Sequence, residues 1–578
     1  MPTERIFQAI LLALSLWGYV QLLSCKIKPE FAIGVVFSAI GSIMFFAGIA
    51  DIMPLAANAI IACGIVCLAI CLIKRISIKN IITPGTVFFA LLCLFFVYIL
   101  HGQIFIEQDN FTHWAVVSRV LIREDRFPLP TDSNIWFPSY PLGSSSFIYF
   151  ICSALKGDSE WLQMLAQAML MCGTTCSLFA FAKDLKGYIL SAATVLFSLC
   201  CNIEFTELLV DTLLPAVAVG AVAFCIYYKD ELSDKLFYTI PYLIFLMSIK
   251  NSGVFFVAVV ICYCLVFTQK TPRSIAKLAV CIAAPVFTLL LWQNRVKLLF
   301  ENGLTTKHSM TFENFSQVFG DKTAEDVNTI VSAFGSEMFS LSNRFIFIIL
   351  LLSVLLVANH LVLKTPDRYL NHICILSIIT YIGYQLGNLG MYLFTMPTVE
   401  AVGLACYDRY HKSVLLFIAA IVCAGVLRSN LFNAKRSGNT ASWITGALAV
   451  AGLYMFLNPM FFMYSQQPIL QENDRVKLMG LMERYDIPPK AGYVIILDDD
   501  YGKQMSFRHM ARFTLDSEDV KARYLADLKE EEHLLNEYEY LIVFHQSDAV
   551  MEYVSEKFGK DIPQVINLFK TPALNLQT

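Results

Sequence analysis

Apolar runs long enough to cross a bilayer recur along most of this chain, and that recurrence constrains its fold more than any other feature. A membrane-crossing helix needs about 20 apolar residues, and an unpaired backbone polar group cannot be left in hydrocarbon, so such runs must be helical. About fourteen candidates meet this template, starting near Ile6, Phe31, Leu55, Thr83, Trp161, Tyr188, Asp211, Leu236, Gly253, Ile275, Arg344, Leu370, Ser413 and Ser442. Hydrophobic residues make up 57% of the 578 and charged ones only 15%. A soluble protein carries about 25% charged residues. Whole-chain readings as a secreted enzyme, a nucleic-acid-binding protein or a disordered scaffold are therefore excluded. The first run, Ile6–Leu23, lacks a basic leader and a small-residue cleavage site, so it reads as a retained helix and not a signal peptide.

Charge is concentrated at one end. Residues 465–578 hold 13 of the 43 Lys/Arg and 20 of the 46 Asp/Glu, so they read as a water-soluble domain attached to a membrane body, 1–464. Strand-like runs at Tyr493–Leu497 and Tyr540–Phe544, with helices expected at Val520–Asn536 and Asp548–Phe558, give that domain an α/β pattern. Asp498-Asp499-Asp500 reads as a solvated strand end. All 17 cysteines precede Ser429, mostly inside apolar runs such as Cys63, Cys67 and Cys71, and read as small core residues.

Basic residues set the orientation. Lys26 and Lys28; Lys74, Arg75 and Lys79; Lys183 and Lys186; Lys229 and Lys235; Lys270, Arg273 and Lys277; Lys364 and Arg368; and Arg428, Lys435 and Arg436 occupy alternate connections on the fourteen-helix count. The other side then carries the loops 102–160, 294–342 and 391–411 and the soluble domain. The expectation is a multi-pass plasma-membrane protein with its chemistry on the extracytoplasmic side. No Walker A sequence, strand-following GxGxxG or HExxH occurs.

The first long loop reads Glu107-Gln-Asp-Asn-Phe-Thr-His-Trp, with apolar Trp114, Val117, Val120 and Leu121 at helical spacing. The spacing predicts an amphipathic helix on the membrane surface, with Asp109 and His113 one turn apart on one face. A carboxylate so placed can take a proton from an attacking hydroxyl while the histidine orients it. The alternative is that Asp109 only caps the helix. The turn Trp136-Phe-Pro-Ser-Tyr-Pro-Leu-Gly143 returns the chain to the membrane, and Ser144–Leu155 reads as a short apolar helix.

Together, an acidic residue early in an external loop, a His-Trp on a juxtamembrane helix and a Tyr-Pro-Leu-Gly turn resemble the GT-C-type integral membrane glycosyltransferases of bacterial cell envelopes. The resemblance implies a polyprenyl-phosphate-linked sugar as donor, a glycan or lipid as acceptor, and Asp109 as the matching catalytic acidic residue. The family's usual Asp-Glu pair is Asp109-Asn110 here, and three helices precede the one leading into the loop. The sequence does not require a divalent cation such as Mg or Mn, and the metal is left unknown.

Donor phosphate needs cations. The candidates are Arg409, whose planar fork suits phosphate oxygens; Lys250, between two thin apolar segments; and Lys307-His308, in a loop of mixed charge. The alternative for Arg409 is an interfacial anchor paired with Asp408. Trp114, Tyr140 and Tyr410 are the candidate substrate contacts. Glu204, Glu207 and Asp211 border a helix start, where they complement its dipole or meet a hydroxyl-rich acceptor. The expected fold is thus an α-helical polytopic GT-C-like membrane protein with a small C-terminal extracytoplasmic α/β domain. The expected activity is glycosyl transfer, with a lipid-linked saccharide flippase or transporter and a polysaccharide polymerase as the alternatives.

Overall fold

A computed structural model of the chain describes residues 3–132, 135–200, 205–300, 312–340, 345–362, 366–429, 473–559 and 562–570. The chain divides into two units. One comprises Met1–Ile104, Val117–Pro130 and Phe137–Phe461; the other comprises Phe105–Val116, Thr131–Trp136 and Phe462–Thr578.

The first unit is helical. Among the described residues, eight helices are long and apolar enough to cross a membrane: Arg5–Leu23, Pro29–Ile49, Met53–Ile73, Glu160–Phe181, Leu232–Ile249, Pro272–Leu299, Arg368–Phe394 and Tyr407–Arg428. Five shorter apolar helices follow the same pattern: Pro84–Leu100, Leu185–Leu199, Leu213–Tyr227, Gly253–Phe267 and Ile348–Leu361. The difference from a count of fourteen is one of length. A 15-residue helix rises only about 22 Å against a hydrocarbon core of about 30 Å, because part of each apolar window is spent in turns. The stretch starting near Ser442 lies outside the described residues.

Burial separates inner from outer helices. In the apolar 18-residue window of each helix, 94% of Glu160–Phe181 and 78% of Pro29–Ile49 is buried, against 28% of Arg5–Leu23 and 22% of Met53–Ile73. The outer helices turn Phe7, Leu55, Leu72, Ile73, Leu94 and Leu290 outward. In water such a continuous apolar surface would drive aggregation; lipid is the solvent that accepts it. Between outer helices, close backbone approach replaces hydrophobic driving force. A Cβ on Gly18 would fall 2.1 Å from the Gly64 carbonyl oxygen, and Tyr19 Oη donates to the Ile60 carbonyl at 2.7 Å nearby.

The stretch 294–342 is more structured than a loop. Helix Pro272–Leu299 carries Arg295 and Lys297, and helices Phe312–Gly320 and Ala324–Phe339 follow. The last is started by a reciprocal cap: Asp326 N donates to Thr323 Oγ1 at 3.1 Å and Thr323 N to Asp326 Oδ2 at 2.9 Å. The segment Ser144–Leu155 is indeed a short helix, Gly143–Ala154, and its residues 143–152 are buried in protein.

The second unit is built on a four-stranded sheet of order β2-β1-β3-β4. Its strands are β1 Tyr493–Leu497, β2 Val520–Tyr524, β3 Tyr540–Val543 and β4 Val565–Asn567. β1 is parallel to β2 and β3, and β4 is antiparallel to β3. A central parallel strand is covered on both faces, which is why Tyr-Val-Ile-Ile-Leu is apolar throughout and wholly buried. One covering layer joins Val494, Ile496, Leu528, Leu541, Val550 and Val554. Helix Asp548–Phe558 matches its expected bounds. The expected helix Val520–Asn536 is instead β2 followed by short helices Leu525–Glu530 and Leu534–Glu537. Val520-Lys-Ala-Arg-Tyr alternates, with Val520 and Ala522 inward, a period of two that five residues are too few to display clearly against the helical sequence after them.

Candidate functional site

The site of interest starts at a broken helix. Ile240–Ile249 stops at Lys250, whose backbone is extended (φ −158°, ψ 155°), and the next helix begins at Gly253. Lys-Asn-Ser in an apolar run is costly in lipid unless it faces a polar interior. Here the lysine does. Lys250 Nζ lies 2.9 Å from Asp211 Oδ1, and Arg409 Nε lies 3.5 Å from Asp211 Oδ2. The Asp211 side chain is 6% exposed and that of Lys250 12%.

Three irregular segments bring these groups together. Asp211 lies at the end of residues 205–212, just before helix Leu213–Tyr227. That segment is pinned by Gln167, whose Nε2 donates to the Leu209 carbonyl at 2.8 Å. Beside it is a cavity of about 20 Å³, room for one water, lined by Met164, Gln167, Met171, Phe205, Glu207 and Thr212. Arg409 sits in the first turn of helix Tyr407–Arg428, which a strained turn introduces: Leu404 and Cys406 both have positive φ, 46° and 62°. Tyr392 Oη holds that turn by donating to the Ala405 carbonyl at 2.9 Å. The third segment is the Tyr-Pro-Leu-Gly turn. Gly143 abuts the end of the broken helix so closely that a Cβ would fall 2.2 Å from Ser248 Oγ. Trp292 Nε1 secures the turn by donating to the Ser139 carbonyl at 2.8 Å.

That approach places the Tyr140 ring 5.6 Å from Lys250 Nζ, with the Tyr410 ring at 6.0 Å. The Arg409 guanidinium is 5.6 Å from the Tyr410 ring. Asp211, Lys250 and Arg409 sum to one positive charge. A carboxylate preorganises two cations, and paired cations with tyrosines beside them suit an oxyanion.

Four sequence candidates therefore converge: Lys250, Arg409, Tyr140 and Tyr410. Asp211 is the residue sequence reasoning missed as their hub. The signal available was that cations in apolar surroundings demand a buried counter-charge. Asp408 pairs with Lys412, not Arg409, so the Asp408–Arg409 anchor is not formed. His411 turns to a separate contact, its Nε2 2.6 Å from Tyr381 Oη. Lys307, His308 and Glu204 lie outside the described residues.

Asp109, His113 and Trp114 belong to the second unit. The expected surface α-helix begins there as a π-turn, Asn110–Trp114, in which Ala115 N donates to the Asn110 carbonyl. Asp109 has helical dihedrals (φ −63°, ψ −22°) and its side chain makes no capping hydrogen bond. Asn110 through Ala115 are buried, as are Val117 and Leu121, while Val120 and Ile122 are half-buried and Arg123 and Glu124 are exposed, so the helix that follows has one buried face. The His113 and Trp114 rings are 4.8 Å apart. Among the described residues no group of three or more His, Cys, Asp or Glu is arranged to hold a metal ion.

The ion cluster has a stability consequence. Asp211→Asn removes the buried carboxylate that Lys250 and Arg409 share, and breaking a buried pair costs about 3–5 kcal/mol. Thermal unfolding in detergent should show that loss, and Asp211→Asn combined with Lys250→Met should recover much of it. No family model matches the chain, and comparison with curated proteins finds no match either.

Proposed function

We propose that this protein is a GT-C-type membrane glycosyltransferase with about fourteen membrane helices. On this reading it moves a sugar from a polyprenyl-phosphate donor to a cell-envelope polysaccharide or lipid acceptor on the extracytoplasmic side of the plasma membrane. The observation that carries the reading is the Asp211–Lys250–Arg409 cluster, two cations on one buried carboxylate with tyrosines beside them, in an apolar helical body. A lipid phosphate is an anion whose carrier chain is compatible with an apolar environment. In the reaction the acceptor oxygen forms the new glycosidic bond as the sugar–phosphate bond breaks. The departing phosphate keeps the electron pair, and Lys250 and Arg409 neutralise it. The acceptor proton passes to a carboxylate, a task the family resemblance assigns to Asp109.

The test is transfer of label from a radiolabelled polyprenyl-phosphate sugar by purified protein. Arg409→Lys keeps the charge but loses the planar fork, and should weaken turnover or donor affinity about 10- to 150-fold, the worth of a charge-assisted hydrogen bond. Parent-like use of donor by that variant would reduce Arg409 to an anchor.

One observation favours a second reading, a lipid-linked saccharide flippase. Discontinuous helices with a charged residue at the break are a transporter device, and Ile240–Ile249 and Gly253–Phe267 flank Lys250 in that way. Reconstituted vesicles separate the two. A flippase moves the intact labelled lipid between leaflets, whereas a transferase cleaves it.

A further inference from the structure

The second unit is not simply the C-terminal part of the chain: Phe105–Val116 and Thr131–Trp136 pack with Phe462–Thr578. One side chain makes much of that connection. Arg475 is 4% exposed, and its guanidinium lies against a pair of touching rings, 5.4 Å from Phe111 and 5.1 Å from Phe513. Its Nη1 donates to the Phe105 carbonyl at 2.5 Å and its Nε to Thr514 Oγ1 at 3.2 Å. Phe111 and Phe513 also meet directly, with ring centroids 5.3 Å apart. Arg475 itself is set at its helix start by Asn473, whose Oδ1 accepts from Arg475 N at 2.9 Å.

A second strut comes from Trp136. Its backbone N donates to the Thr112 carbonyl at 3.1 Å, and its ring stands edge-on to His509 at 4.8 Å. Burial, with Arg512 and Arg508 nearby, pushes the His509 imidazole down to about 4, so it meets the indole as a neutral ring. Both struts reach the π-turn, one at Phe111 and the other at Thr112. A π-turn is rarer than an α-turn because its hydrogen bonds are less favourable, and it persists where surroundings hold it. Asp109 immediately precedes this turn and His113 lies inside it.

We propose that Arg475 is a positioning residue for the reaction, fixing the π-turn beside Asp109 and carrying His113 by gripping Phe105 and Phe111. The inference rests on the reading of Asp109 as the proton acceptor in glycosyl transfer. The guanidinium is needed for it: a lysine ammonium lacks the planar fork that donates in two fixed directions while staying against both rings.

The experiment uses the full chain in detergent, with Arg475→Met, Arg475→Lys and Asp109→Asn. Hydrogen exchange followed by mass spectrometry should show peptides covering 105–116 exchanging about tenfold faster or more in Arg475→Met, while those covering β1 and β3 stay at parent rates. With a polyprenyl-phosphate sugar as probe, kcat should fall about 10²-fold, the scale of an ångström misplacement, with donor KM within about twofold of the parent. Arg475→Lys should fall between parent and Arg475→Met in both measurements. Parent-like exchange at 105–116 overturns the proposal. So does acceleration shared equally by β1 and β3, which would make Arg475 a general stabiliser. If Asp109→Asn is inactive while the Arg475 variants turn over normally, positioning fails and the reading of Asp109 stands. If Asp109→Asn is fully active, that reading fails, and the role of Arg475 in the reaction fails with it.

Discussion

Lys250→Met is expected to lower affinity for a polyprenyl phosphate about 30- to 4,000-fold while the protein remains folded. Truncating one member of a buried, hydrogen-bonded charge pair costs about 2–5 kcal/mol of binding, and each 1.4 kcal/mol is tenfold. Methionine keeps the length and apolar stem of lysine, so the break between helices stays filled. Asp211 keeps Arg409 as a counter-ion, which makes this variant milder for the fold than Asp211→Asn. An arriving phosphate then meets one cation of the pair in place of two. Binding is measured on detergent-solubilised protein by native mass spectrometry against a lipid series. Parent-like affinity would remove Lys250 from the phosphate site and leave the cluster a structural ion pair.

Asp109→Asn should separate catalysis from architecture in the other unit. Asparagine keeps the size of the side chain but cannot accept a proton at neutral pH, and general-base assistance is worth about 10²–10⁴-fold in rate. A capping role predicts the opposite, near-normal activity, since Asn caps about as well as Asp. The structure already weakens capping, because the Asp109 side chain makes no such bond and its backbone is helical. Normal expression, retained donor binding and a collapse of glycosyl transfer are expected. Full activity would take Asp109 out of the mechanism.

What could be read from sequence here depended on whether the cause was local. Lys250-Asn251 declared itself because a charge inside an apolar run has few explanations in a membrane, and the helix does break there. β1 and helix Asp548–Phe558 were equally plain, since buried strands and capped helices carry their own patterns. Asp211 was hidden by an ordinary alternative: a carboxylate before a helix complements its dipole. Its actual partner, Lys250, is 39 positions away with two helices between them in the chain. The π-turn was beyond reach for the same reason. Asp109 followed by apolar residues at helical spacing predicts an ordinary capped α-helix. The contacts that hold the widened turn come from Arg475 and Phe513. Five of the expected spans are apolar helices of only 10–17 residues, because a hydropathy window counts apolar residues without knowing which of them turn corners.

The reach from Arg475 back to Phe105 also sets a schedule for biosynthesis. The two residues are 370 positions apart, and at about 5–20 residues per second a ribosome takes roughly 20–70 s to cover that distance. Throughout that interval Phe105 and Phe111, both buried in the finished protein, have not yet met the residues that cover them. The early loop must therefore wait, and its final shape is acquired only after synthesis of the last fifth of the chain. A nascent chain released before Arg475 would present these aromatic residues permanently to the proteases that survey unassembled membrane proteins. Loss of the C-terminal domain should thus register first as loss of protein, with the early loop as the point of cleavage.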